Sequence, residues 1–298
     1  LKIRERQRRP AQAGVTFFYR RNKVLDPLRI NVTTTLNRNI NAMKLHHLSA
    51  LLCAVVPLLH AGRPLQLDDA GPVPPREFEF EAGTTVRKSG DAGHFDFPVG
   101  LTAGLPGHLE IGLGFGGQIE ERVEPTHQHH TDTGLGDLTV GTKWNFLTAD
   151  RAWADQATAF TVKIPTASHA DGFGSGEVDF DWTYILTINL RDRWNLDWNV
   201  GYTWVGDPPR ENLDDSVHYG LAVRWQTSDR LEGVAELVAD TPVTAEQQTI
   251  LSLNGGVRWQ AREALLLDAA AGLGLRGDGP DWMVTLGFTW AFAFNRDK

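Results

Sequence analysis

Thiols and thioethers are scarce in this sequence: its 298 residues include one cysteine, Cys53, and two methionines, Met43 and Met283. A single thiol excludes an internal disulfide framework and any multi-cysteine metal centre. Long hydrophobic runs are missing too. A membrane-crossing helix needs about 20 apolar residues, and no uninterrupted run of that kind occurs in a chain of mean hydropathy −0.28. Charge is unevenly distributed: residues 1–42 carry ten Lys or Arg against two acids, while the other 256 residues carry 19 bases against 35 acids. With 41% hydrophobic residues and 30 glycines, the remainder is the composition of a folded chain. Its acidic body also argues against nucleic acid as a partner.

Met43 opens the stretch MKLHHLSALLCAVVPLLHA, in which Lys44 precedes an apolar core from Leu48 to Leu59 and Ala61 precedes Gly62. This is the layout of a secretory signal peptide over residues 43–61, cut after Ala61, although Leu59 is larger than the usual residue at its position. Leu52 is too bulky, immediately before Cys53, for a lipoprotein site. Because a signal peptide works at an N-terminus, residues 1–42 read as upstream sequence translated ahead of the true start. A functional basic extension is the other reading. Removal of both segments leaves a cysteine-free chain exported to an oxidising compartment.

The exported part has a two-residue rhythm. Val178, Phe180, Trp182, Tyr184, Leu186, Ile188 and Leu190 alternate with mainly polar residues, and after a tight Arg191–Arg193 turn Trp194, Leu196, Trp198, Val200, Tyr202 and Trp204 do the same. Successive side chains of a strand point to opposite faces, so such alternation predicts half-apolar strands. Extended over residues 76–294, it predicts an all-β fold: a transmembrane, antiparallel, up-and-down β-barrel of about twelve strands, each long enough to cross a bilayer when tilted. The predicted connections sort into short turns at one end, near Pro106, Ala149, Asp192, Ser228 and Arg262. At the other end they are mostly longer, at 89–92, 121–134, 166–176, 206–215, 241–247 and 276–280. Outer-membrane barrels show this asymmetry, with the short turns periplasmic. Tryptophans cluster near strand ends on the apolar face, as aromatic girdles do at the headgroup level.

Several segments resemble a known family: RPLQLDDAGPVPP (63–75), GLGDLTVGTKW (134–144), KIPTASHADGFGSGEVDF (163–180), NVGYTW (199–204) and the alternating aromatic C-terminus. They are similar to outer-membrane transporters grouped as the "MetA pathway of phenol degradation" family, over nearly all of 63–294. The resemblance implies an outer-membrane barrel that passes small, often hydrophobic or aromatic, compounds. The tail Asn295–Lys298 after Phe294 departs from the terminal aromatic that barrel-insertion machinery usually reads.

Strand parity assigns the polar face to the lumen. Its candidate lining residues are Glu79, Asp137, Lys143, Asp179, Asp181, Arg193, Asp197, Arg224, Glu236 and Arg258. Acids outnumber bases on this face, which predicts either a negative lumen favouring cations or hydrogen-bonded networks that fill a narrow barrel. Residues 62–75, with three prolines, are not strand-like and read as a periplasmic leader or as a plug folded into the barrel mouth. His127, His129 and His130 fall in the predicted outer loop 121–134. The HxHH spacing could hold a transition metal, yet a solvated loop explains it better and no metal is assigned. Ser216 and His218 are the nearest approach to an outer-membrane lipid hydrolase pair, but their parity points to the lumen, so no catalytic residue and no cofactor is assigned. The functional expectation is a passive channel for small molecules, hydrophobic or aromatic ones included. Its partners would be outer-membrane lipid and lipopolysaccharide, the insertion machinery and a small-molecule solute. A lipid hydrolase and a purely structural barrel are the alternatives.

Overall fold

In the computed structural model the described residues are 62–90, 92–123, 129–150, 152–167, 173–191, 193–207, 213–241, 248–277 and 279–293. The predicted extension 1–42, the signal peptide 43–61, His127 and the tail 295–298 lie outside them. Among the described residues no helix is long and apolar enough to cross a membrane.

Thirteen antiparallel strands form one sheet: β1 (Glu77–Ser89), β2 (Ala92–Leu105), β3 (Leu109–Val123), β4 (His129–Leu135), β5 (Leu138–Leu147), β6 (Asp155–Ile164), β7 (Asp179–Arg191), β8 (Trp194–Trp204), β9 (Ser216–Ser228), β10 (Leu231–Asp240), β11 (Ile250–Arg262), β12 (Leu265–Arg276) and β13 (Trp282–Ala293). Neighbours in sequence pair except β4 and β5, and β1 closes on β13 from Glu77↔Ala293 to Lys88↔Trp282. β4 and β5 are two parts of one barrel strand, since β3 pairs with both. The barrel therefore has twelve strands, with no free edge to attract other chains.

The split strand corrects the sequence reading of 121–134 as an outer loop. β3 runs to Val123 and β4 begins at His129, so the backbones of His129 and His130 pair with Val123 and Arg122. Thr131, Thr133 and Leu135 are exposed, with half-buried Asp132 and Gly134 between them. Their alternation is real, but Thr and Gly stand where large apolar residues mark the other strands. At Gly136–Asp137 the register slips by one residue, between Gly117↔Leu135 and Gly114↔Thr139. This bulge returns Leu138 to the outer face.

The outer wall is apolar. Leu286 is 60% exposed, Phe115 54% and Trp290 50%, values that only lipid contact makes favourable over so many residues. Aromatics concentrate at both rims. At the short-turn end Trp194 stacks on Trp225 (5.2 Å between rings), Trp290 lies beside Phe292 (5.2 Å), and Phe78 stacks on Phe292 (5.5 Å). At the other end Tyr202 meets Trp204 edge-on (5.0 Å).

Candidate functional site

The inner face is built from the opposite parity, and its polar residues converge on residues 62–75, which lie inside the barrel. This segment follows the inner wall from β13 round to β2, bonding strand after strand. Arg63 reaches Asp268 (3.3 Å), Thr285 Oγ1 (3.0 Å) and the Leu286 carbonyl (3.1 Å). Arg258 donates to the carbonyls of Arg63 (2.6 Å) and Gly62 (3.0 Å), and to Glu232 (3.0 Å). The Glu236 carboxylate accepts the consecutive backbone N–H groups of Gln66 and Leu67 (2.9 and 3.0 Å) and the Asn254 amide (2.7 Å). Asn199 bonds both the N–H and the carbonyl of Asp68. Thr187 and Asn145 do the same for Ala70, and Glu110 accepts from the Val73 N–H (2.7 Å). A non-repetitive backbone has donors and acceptors that no strand partner satisfies; here lumen side chains satisfy them.

Two apolar contacts seat the same segment. Leu67 packs on Ala222 and Val238, and Ala70 on Ala157 and Ile185. Glycines on the inner face give it room. A Cβ on Gly104 would collide with the carbonyl oxygens of Val73 and Pro74, and one on Gly287 with the Arg63 guanidinium.

The predicted lining residues fall into this arrangement as follows. Arg224 is almost fully buried between Asp197 (Nε–Oδ2 2.7 Å) and Asp69 of the segment (3.3 Å). Lys143 is equally buried between Asp68 (2.9 Å) and Glu110 (3.4 Å). Lys163 bridges Asp179 (2.6 Å) and Asp137 (3.6 Å) nearer the long-connection end. Asp181 meets His218 Nε2 (2.8 Å) and Thr203 (2.8 Å). Glu79 is 4% exposed and has no hydrogen-bond or ion-pair partner among the described residues. Arg193 differs from its expectation. It sits exposed in the β7–β8 turn and donates to the Thr227 carbonyl (3.3 Å), because the strand ends before its parity can carry it inward. Sequence reasoning missed Arg63, Asp68, Asp69, Asn199 and Asn254. The inward-facing Ile185 and Val238, apolar breaks in a polar row, were the available trace of the segment's track.

Ser216 and His218 do not bond to each other. The Ser216 hydroxyl donates to the Thr241 carbonyl (2.7 Å), while His218 is bonded to Asp181. Among the described residues no group of three or more His, Cys, Asp or Glu is placed to hold a metal ion.

Between the segment and the long-connection end lies a chamber of about 420 Å³. Its floor is Arg63 to Gln66, and its walls come from β1, β2, β10, β11 and β13. Closed wall, apolar belt and polar chambered lumen together suit a molecule that admits solutes along its axis.

Comparison with known proteins agrees with this architecture. Residues 61–292 match the profile of the family described as "Putative MetA-pathway of phenol degradation". Among solved structures, the chain is similar to an outer membrane channel from Pseudomonas putida F1, at 13% identity with a TM-score of 0.65, covering 76% of this chain and 100% of that one. It is also similar to the KdgM porin, at 6% identity with a TM-score of 0.50, covering 72% of this chain and 99% of that one. At these identities the likeness is one of fold. No curated protein sequence matches the chain.

Proposed function

The chain belongs to the "Putative MetA-pathway of phenol degradation" family, and from that premise we propose that it is a bacterial outer-membrane channel for passive passage of small molecules, hydrophobic and aromatic ones among them. The observation that carries this reading is the pairing of a lipid-suited outer wall with a polar lumen containing an open chamber. The aromatic rims would lie at the two headgroup levels, in contact with phospholipid on one side and lipopolysaccharide on the other. The signal peptide at 43–61 would deliver the chain for export, and the insertion machinery would receive it.

Passage needs no chemical step. Selectivity would come from the bore, its charge, and residues 62–75, which narrow the lumen while bonded to the strands around it. The segment is held by side chains rather than by a strand ladder, so it can in principle be shifted without opening the barrel wall.

The test is reconstitution. Purified protein should run as a heat-modifiable band from the outer-membrane fraction and give discrete conductance steps in planar bilayers. A sealed bilayer, together with no uptake of toluene-sized solutes by proteoliposomes, would sink the channel reading and leave a structural barrel.

A further inference from the structure

The chamber above the segment has an uneven charge balance. Arg63 is matched by Asp268, and Arg87 by Asp96 through both Nε (2.9 Å) and Nη2 (2.7 Å). Asp240, at the end of β10, makes no hydrogen bond or ion pair among the described residues. The residue opposite it on β9 is His218, whose ring is bonded to Asp181. Two acids, Asp181 and Asp240, thus face one imidazole, so with both ionised at least one negative charge is in excess whatever the state of the ring. A carboxylate set among low-dielectric walls, with its one facing imidazole shared with a second acid, is costly to ionise, and a cation entering beside it removes the cost.

The rest of the chamber sets the shape of such a cation. Pro64, Leu65, Ile250, Pro280 and Met283 supply apolar surface, and the volume of about 420 Å³ suits a compact one-ring body rather than a long chain. Ser252 adds a hydroxyl two rungs along β11 from Ile250, the residue paired with Asp240, and it has no hydrogen-bond partner of its own among the described residues. A ligand would thus find one strong acceptor, one hydroxyl and an apolar wall.

We propose that this chamber is a binding site for small organic cations, a protonated amine on a ring-sized apolar body, with Asp240 as the charge partner and Ser252 as a second polar contact. The assignment rests on the channel reading in that the lumen is the solute's path. The site would act as a stopping place between the outer connections and the segment, enriching amines over acids of the same shape.

The experiment titrates the purified barrel calorimetrically with three isosteric probes: benzylamine, benzyl alcohol and benzoate. Benzylamine is expected to bind tightest and benzoate weakest. Asp240→Asn should weaken benzylamine by about tenfold, the worth of one charge-assisted contact, while leaving benzyl alcohol unchanged. This variant removes an unpaired charge, so it should fold at least as well as the parent. Ile250→Phe, which fills the chamber, should weaken benzylamine and benzyl alcohol alike. Benzylamine binding no tighter than benzyl alcohol, or an amine preference that survives Asp240→Asn, overturns the proposal. Potassium conductance of the same preparation separates the two readings. A conducting barrel without amine preference overturns the chamber assignment alone, whereas a sealed barrel overturns the channel and the stopping place with it.

Discussion

Single residues in this barrel matter most where they carry charge away from water. Arg224, 3% exposed, is held by two aspartates from different parts of the chain, Asp197 on β8 and Asp69 in the internal segment. Removing one member of such a group strands the others, which typically costs about 3–5 kcal/mol, more than the pairing itself contributes. Arg224→Met should therefore lower the temperature at which the folded gel band converts to the unfolded one, and adding Asp197→Leu should recover part of the loss. If Arg224→Met behaves like the parent, the three groups do not share buried charge. Glu236 works differently: it spends its oxygens on two backbone N–H groups and one amide. Truncating it would leave Gln66 and Leu67 with unsatisfied donors inside the barrel.

Among elements, the internal segment 62–75 is the one whose place depends least on its own sequence and most on the strands around it. Gly104 on β2 tests this, because any side chain there meets the Val73 and Pro74 carbonyls. Gly104→Val should leave the barrel closed and heat-modifiable while unseating the segment. Limited proteolysis would then cut within 62–75 at a protease dose the parent resists, and bilayer conductance would rise. A protected segment in a folded variant would show that its seat is set elsewhere. The strands were legible in the sequence because each carries its own pattern. Phe180, Trp182 and Tyr184 announce β7 without reference to any neighbour. β4 escaped because Thr131, Thr133 and Gly134 carry too little hydrophobic contrast to mark a face. The track of the segment escaped for another reason: its partners are mainly backbone groups, which look alike in every residue. Ile185 and Val238, apolar on a polar face, betrayed where something would pack.

On the scale of the whole molecule the decisive quantity is lumen charge. Lys143, Lys163 and Arg224 each lie between two acids, so acidic side chains outnumber basic ones in the ion-paired groups along the bore. Reversal potentials under a salt gradient should show preference for potassium over chloride, shrinking toward about 1 M salt as the Debye length falls to about 3 Å. Anion preference at low salt would contradict that distribution. The internal segment also orders events in time. Gly62 and Arg63 take as partners Arg258 and Asp268, 196 and 205 positions further along the chain. Contacts across such distances pay the largest loop-closure entropy and form late. The first residues of the barrel domain thus find their places only once its last strands exist. A seated segment is a mark of completed assembly, and protease protection of 62–75 can serve as a clock for the final step of folding.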